Sequence, residues 1–366
     1  MFYTNDQIIN ALTHVNDPDL RKDLVSLNMI EGIKIDGKKI SFRLVLTTPA
    51  CPMKGKMKQD CIDAIHQYVD AAAEVEIELT SRVTSRRKDT DNMMKGVKNI
   101  IAVASGKGGV GKSTVAANLA IALSRSGASV GLLDADIYGP SVPLMFDLKD
   151  AHPGVIEDNG ITTIIPVTKY GIKLLSIGFF VDPAKALVWR GPMASNYLTQ
   201  MITGADWGEL DYLIIDMPPG TGDIHLTLVQ QVPVTGVAIV STPQEVALAD
   251  ARKAVNMFTT ESINVPILGL IENMSYFTPA ELPDNKYYIF GKEGGKKLAT
   301  EVNVPLLGQI PLVQGICESG DNGSPVALDD STIIGMAFHK LAENIAQQVA
   351  IRNSTLAPTK IVEVKS

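Results

Sequence analysis

The chain has 366 residues, of which 45% are apolar and 20% charged, with a net charge of −7. That composition excludes a disordered chain or a wholly basic nucleic-acid binder, and the length suggests two or three domains. Cys51, Cys61 and Cys317 are too few and too scattered for a disulfide framework, and neither a secretory leader nor a membrane-spanning run is legible, so the expectation is a cytoplasmic protein binding neither membrane nor nucleic acid.

In chain order, Ile8, Ile9, Leu12 and Val15 recur at helical spacing, and Asp17-Pro18-Asp19 ends that helix. Residues 30–35, the turn pair Asp36-Gly37 and residues 40–46 predict a β-hairpin, since Asp-Gly suits a turn with positive φ at both positions. Residues 53–68 read as a second helix and 74–79 as a half-buried strand. Residues 1–82 are thus expected to form a small α+β domain. The polar, charged stretch that follows predicts a linker over 83–97.

From Asn99 onward the pattern changes. Apolar runs at 100–104, 130–133, 212–215, 237–240 and 267–271 alternate with helical stretches. Continuous apolar runs suit parallel strands buried on both faces, so residues 98–352 predict an α/β fold with a doubly wound, mostly parallel sheet. Asp134, Asp216 and Glu272-Asn273 follow such runs, and ligands bind at the carboxyl ends of strands in open α/β sheets. Residues 353–366 read as a flexible tail.

Gly106-Lys107-Gly108-Gly109-Val110-Gly111-Lys112-Ser113-Thr114 lies between a predicted strand and a predicted helix over 114–126. It satisfies the phosphate-binding loop pattern in the context that pattern requires. Glycines let successive N–H groups turn toward phosphate oxygens, and the helix N-terminus adds a favourable dipole. Lys112 is expected to reach the β- and γ-phosphates of a nucleotide, and Ser113 to ligate Mg2+. Asp216 ends an apolar strand as the expected acid for the Mg2+ water shell, followed by a Pro-Pro corner and Gly220-Thr221-Gly222-Asp223. Asp134 and Asp136 either act on metal-bound and attacking water or merely cap a loop.

The second loop lysine, Lys107, resembles the deviant Walker A motif of the ParA, MinD and nitrogenase-iron-protein group of P-loop ATPases. The stretches from Asp134 to Ser141, Trp189 to Met193, Asp216 to Asp223 and Glu272 to Ser275, with Phe290-Gly291, resemble the Mrp/ApbC family of iron–sulfur cluster carriers. Asp17-Pro18, Asp23-Leu24-Val25 and Thr47-Thr48-Pro49-Ala50-Cys51-Pro52 are similar to the PaaD-like domain found at the front of such proteins. The resemblance implies an ATP hydrolase that works as a homodimer and passes clusters to apo iron–sulfur proteins or assembly factors. It implies that Lys107 reaches the neighbour's phosphates, that Asp136 positions water, and that Asn273 recognises adenine with the loop around Pro311. The family's Cys-x-x-Cys pair aligns with Pro279 and Leu282, and neither side chain can ligate iron.

Cys51, near a predicted helix start with Lys54, Lys56 and Lys58 behind it, is either a transient iron ligand or a partly buried loop residue. Cys61 reads as packing, Cys317 as an inert lone thiol or substitute ligand, and His225 as structural. The competing function is an ATP-dependent dimerising adaptor that holds no cluster.

Overall fold

The computed structural model describes residues 3–87, 94–158, 160–181, 191–279, 281–282 and 285–362. The chain divides into two compact units, Met1–Thr84 with Ala346–Leu356, and Ser85–Ile345 with Ala357–Ser366.

In the first unit, α1 (Asn5–Leu12) begins with a reciprocal cap. The Thr4 hydroxyl accepts from the Gln7 N–H while the Gln7 side chain accepts from the Thr4 N–H. Asp17-Pro18-Asp19 leaves β1 (Asn16–Asp17) for β2 (Lys22–Asp23), and the Asp17 carboxylate accepts from the Asp19 and Leu20 amides. The expected hairpin is β3 (Ile30–Asp36) and β4 (Lys39–Leu46). Its turn differs from expectation. Asp36 pairs with Lys39, so the loop is Gly37-Lys38, and only Gly37 has positive φ, at 60°. That is the type II′ arrangement, in which the first loop position needs glycine. After α2 (Lys54–Tyr68), β5 (Glu74–Ser81) pairs parallel to β4. Ile8, Leu12, Leu24, Ile40, Leu44 and Ile65 fill the core between helices and sheet.

The second unit opens with β6 (Val97–Ser105), α3 (Lys112–Arg125), β7 (Val130–Asp134) and α4 (Val142–Met145). A hairpin of β8 (Gly154–Asp158) and β9 (Ile161–Ile165) precedes β10 (Val167–Lys169) and β11 (Ile172–Ser176). Then follow α5 (Gly191–Thr203), β12 (Leu210–Pro219), α6 (Asp223–Gln231), β13 (Gly236–Ser241), α7 (Glu245–Thr259) and β14 (Ile267–Glu272). The unit closes with α8 (Gly294–Glu301), β15 (Leu306–Gln309), α9 (Gln314–Asp321) and α10 (Ile333–Thr355), whose last residues group with the first unit. The sheet order is β10-β11-β7-β12-β6-β13-β14-β15, parallel throughout except for the antiparallel edge strand β10. Strands β7, β13 and most of β6 and β12 are buried along their length, as a sheet covered by helices on both faces requires.

Because the chain runs from β6 out to β7 and β11 and returns as β12 between β7 and β6, the ends of β6, β7 and β12 open on one crevice. The flexible tail expected over 353–366 is instead helical to Thr355. Arg352 and Asn353 are buried, Thr359 bridges to Arg87, and the Val362 amide donates to the Val229 carbonyl. The part of the expected linker at 88–93 lies outside the described residues; before it, the Ser85 hydroxyl donates to the Lys98 carbonyl.

Leu213 sits fully buried at the middle of the central strand β12. Leu213→Ala is expected to lower unfolding free energy by about 2–5 kcal/mol through lost transfer energy and a residual cavity. The check is a lower urea midpoint at an unchanged slope.

Candidate functional site

The loop after β6 is shaped by two close approaches. A Cβ at Gly106 would lie 2.1 Å from the Asp250 carbonyl carbon, so only glycine lets the loop pass the backbone of α7. Gly111, at φ 80°, caps α3, and a Cβ there would lie 2.2 Å from Asn273 Nδ2. Asn273, just past β14, donates through Nδ2 to the Val110 carbonyl at 2.8 Å and so pins the loop to the end of β14, beyond β13 in the sheet. Helix α3 starts two residues earlier than expected, at Lys112, which puts Lys112, Ser113 and Thr114 on its first turn.

The Lys112 ammonium is almost buried and bonds Asp216 Oδ1 at 2.5 Å, with Ser113 Oγ at 3.2 Å and Asp136 Oδ2 at 3.8 Å. Asp216 is wholly buried, and its Oδ2 has no hydrogen-bond partner among the described residues. Burial pushes its carboxyl above the ordinary range, with Lys112 opposing. Asp134 lies beside it in register on β7. Its carboxylate already accepts from the Asp136, Ser141 and Val142 amides and from Ser176 Oγ. Burial, then the neighbouring Asp216, pushes Asp134 up to about 7.

These contacts sort the expected Mg2+ residues. Ser113 Oγ and the unpartnered Asp216 Oδ2 are hard oxygen donors beside a phosphate-loop lysine, and they fit the ion. Asp134, also expected at the Mg2+ site, accepts the Asp136 amide at Oδ1 and the other three donors at Oδ2, and so it also shapes the loop. Lys107 is half-exposed; its carbonyl accepts from Ser105 Oγ, and its ammonium has no partner among the described residues. Gly108 and Gly109 are exposed, Gly109 at φ 80°.

Beyond Asn273 lies a cavity of about 280 Å³, lined by Gly111, Thr114, Asn273, Met274, Pro311 and Cys317 among others. Cys317 is exposed on α9, its Sγ 3.8 Å from Asp321 Oδ2, and a place in this wall was not legible from its isolated position in the sequence. Glu272 does not enter the crevice. It accepts from Ser275 Oγ, Gln309 Nε2 and the Gly295 amide, tying β14 to β15 and α8.

Cys51 is buried in the small unit's core, and α2 begins only at Lys54, so the thiol is not on the helix. Cys61 is fully buried, and burial pushes its thiol up to about 12. Pro279 is half-buried and Leu282 exposed. Among the described residues no group of three or more His, Cys, Asp or Glu side chains is placed to hold a metal ion, and no helix is long and apolar enough to cross a membrane. Trp189 and Arg190 lie outside the described residues, as does the Asp223 side chain.

Residues 96–350 match the family described as NUBPL iron-transfer P-loop NTPase, and residues 5–79 match one described as iron-sulfur cluster assembly protein. An iron-sulfur cluster carrier protein of Synechocystis is 47% identical over 350 residues, covering 95% of this chain and 98% of the relative. The solved structure of a nucleotide-binding protein of Archaeoglobus fulgidus in complex with ADP is 37% identical, with a TM-score of 0.55, covering 63% of this chain and 88% of that one. The cell division ATPase MinD of Pyrococcus furiosus shares the fold, with a TM-score of 0.50 at 24% identity, over 68% of this chain and 98% of that one.

An aspartate whose folded pKa lies above its unfolded value stabilises the fold most at low pH and loses that contribution as pH rises through the folded pKa. Lys112→Ala removes the cation that opposes this rise at Asp216. Its cost is expected to reach about 3–5 kcal/mol at pH 8, where the carboxylate would be buried unpaired, and to shrink as pH falls and the raised carboxyl takes up its proton. Urea unfolding at pH 8 and at lower pH checks the sign.

Proposed function

The chain belongs to the NUBPL iron-transfer P-loop NTPase family, and on that premise we propose that it binds and slowly hydrolyses ATP and, as a homodimer in the cytoplasm, carries iron–sulfur clusters to apoproteins or assembly factors. The observation that carries the ATP part is the meeting of buried Lys112 and Asp216 with Ser113 at the N-terminus of α3.

The loop from Gly106 to Thr114 presents backbone donors and the positive end of α3 to the phosphates. Lys112 now bonds a carboxylate oxygen, and a phosphate oxygen can take that place with the same donor geometry. Ser113 and Asp216 would hold Mg2+, which supplies charge neutralisation at the β- and γ-oxygens. Asp136, close to Lys112, is placed to orient the attacking water. The cavity beside Asn273 and Pro311 suits a flat purine ring. Lys107, with its ammonium unengaged, supports the deviant form of the motif, in which it reaches the phosphates of the other protomer.

Lys112→Ala is expected to weaken ATP binding by roughly tenfold to a hundredfold, since one charge-assisted contact to phosphate is lost. Lys107→Ala should bind ATP normally but form no ATP-dependent dimer. Equilibrium titration and light scattering with ATP test both; normal dimerisation by the Lys107 variant would make the loop an ordinary Walker A.

The cluster is cargo, and soft thiolates must hold it. Pro279 and Leu282 cannot, and Cys61 is held neutral by burial. We assign Cys51 as the principal protein ligand, reached by local opening of the segment before α2. One such thiolate per protomer falls short of the four a cluster takes, so small thiols or client cysteines complete it. After anaerobic reconstitution with iron and sulfide, Cys51→Ser is expected to lose most bound iron and Cys61→Ser little. Wild-type protein that takes up no iron, with or without added thiols, would sink the carrier reading in favour of the adaptor.

A further inference from the structure

The end of β12 is held unusually. Its ladder with β7 stops at Asp216, and its ladder with β6 skips from Asp216 to Pro219. Pro218 and Pro219 bring no N–H of their own. The Pro218 carbonyl is instead bonded by His225 Nε2, at 3.0 Å, from the first turn of α6. His225 is almost fully buried, its ring edge-on to Phe258 of α7, and its own amide donates to the Gly222 carbonyl.

The carbonyl can only accept, so the ring carries a proton on Nε2. Burial favours the neutral imidazole, which leaves Nδ1 as a bare acceptor. Nδ1 is buried and has no partner among the described residues. Among the described residues, the ring's polar anchor is therefore the bond to Pro218. That bond closes the chain from Pro218 to His225 across Gly220, Thr221 and Gly222, with Gly220 at φ 92°. On the strand side of the same corner, two residues back, stands Asp216.

We infer that His225 is a positioning residue for ATP hydrolysis, holding the Pro218 corner so that Asp216 and the Gly220–Gly222 loop keep a fixed geometry toward the nucleotide. The inference rests on the ATPase reading above. Without the bond, the corner loses its side-chain tether while Lys112 and the phosphate loop stay intact, so turnover falls and nucleotide affinity does not.

The test compares His225→Gln, whose amide nitrogen can stand in for Nε2, with His225→Asn, which is too short, and His225→Phe, which keeps the packing on Phe258 without a donor. In the Asn and Phe variants kcat for ATP is expected to fall roughly tenfold, the factor one neutral hydrogen bond supplies, with KM within about twofold of wild type. The Gln variant should stay within about threefold in kcat. Amide exchange over 217–224 gives a second readout, since the Gly220 amide donates to the Ser105 carbonyl. Exchange there should quicken in the Asn and Phe variants and return toward wild type with Gln. Equal kcat and equal exchange across all three variants would overturn the inference, as would equal loss in Gln and Phe. A wild type without ATP turnover would sink the ATPase reading alone, because the exchange comparison still decides whether His225 holds the corner.

Discussion

The large unit is arranged around two buried carboxylates that face one ammonium. Asp134 and Asp216 are register neighbours on β7 and β12, and Lys112 reaches Asp216 from the first turn of α3. With Asp136 also near the ammonium, ionised acids would outnumber the one lysine in a low-dielectric crevice, and burial, the largest cause, raises both buried carboxyls. The amides and hydroxyl that surround Asp134 offset part of that burden and tie its carboxylate to the loop that follows β7. Among the described residues, nothing bonds the second oxygen of Asp216. A divalent cation would reverse the local preference and favour the ionised forms.

Holding that arrangement demands exact backbone paths more than particular side chains. The loop after β6 must clear α7 at Gly106 and Asn273 at Gly111, and no residue with a Cβ can do either without displacing backbone or the loop's own anchor. Asn273 therefore has a structural duty whatever it does for a base. By fixing Val110 it ties the phosphate loop to the strand end that also opens the neighbouring cavity. The loop after β6 and the neighbouring cavity are in this way positioned by one side chain.

Much of this was legible in the sequence, for physical reasons that can be named. Strands buried on both faces, such as β6 and β12, write themselves as unbroken apolar runs, and the phosphate loop has a spacing that chemistry dictates. What escaped detection lacked such a pattern. Strand β15 has only four residues, and β11 only five; each is held by its neighbour rather than by its own periodicity. The hairpin turn slipped by one position because Asp36-Gly37 and Gly37-Lys38 differ only in which pair the strand register leaves outside. The polar segment after Arg352 looks like a fraying end by composition, yet Thr359 and Val362 are fixed by backbone pairing with residues far away in the chain. Cys317 acquires its place in a cavity wall from the packing of α9, which no local motif records.

The two halves of the proposed activity make different demands on the chain. ATP use needs hard oxygens, a lysine and backbone N–H groups, and Lys112, Ser113, Asp216 and the loop after β6 bring these to one crevice. Cluster carriage needs soft thiolates, and the positions where the family resemblance leads one to expect them hold Pro279 and an exposed Leu282. A cluster held by few protein thiolates leaves iron valences to outside ligands, so its transfer proceeds by substitution of an already exchangeable ligand rather than by extraction from a closed site. Under the proposed function, the nucleotide then governs when two protomers come together, and the receiving protein's own cysteines govern when the cargo leaves. Separating those controls allows the ATP crevice to remain intact while the thiol pair between β14 and α8 is missing.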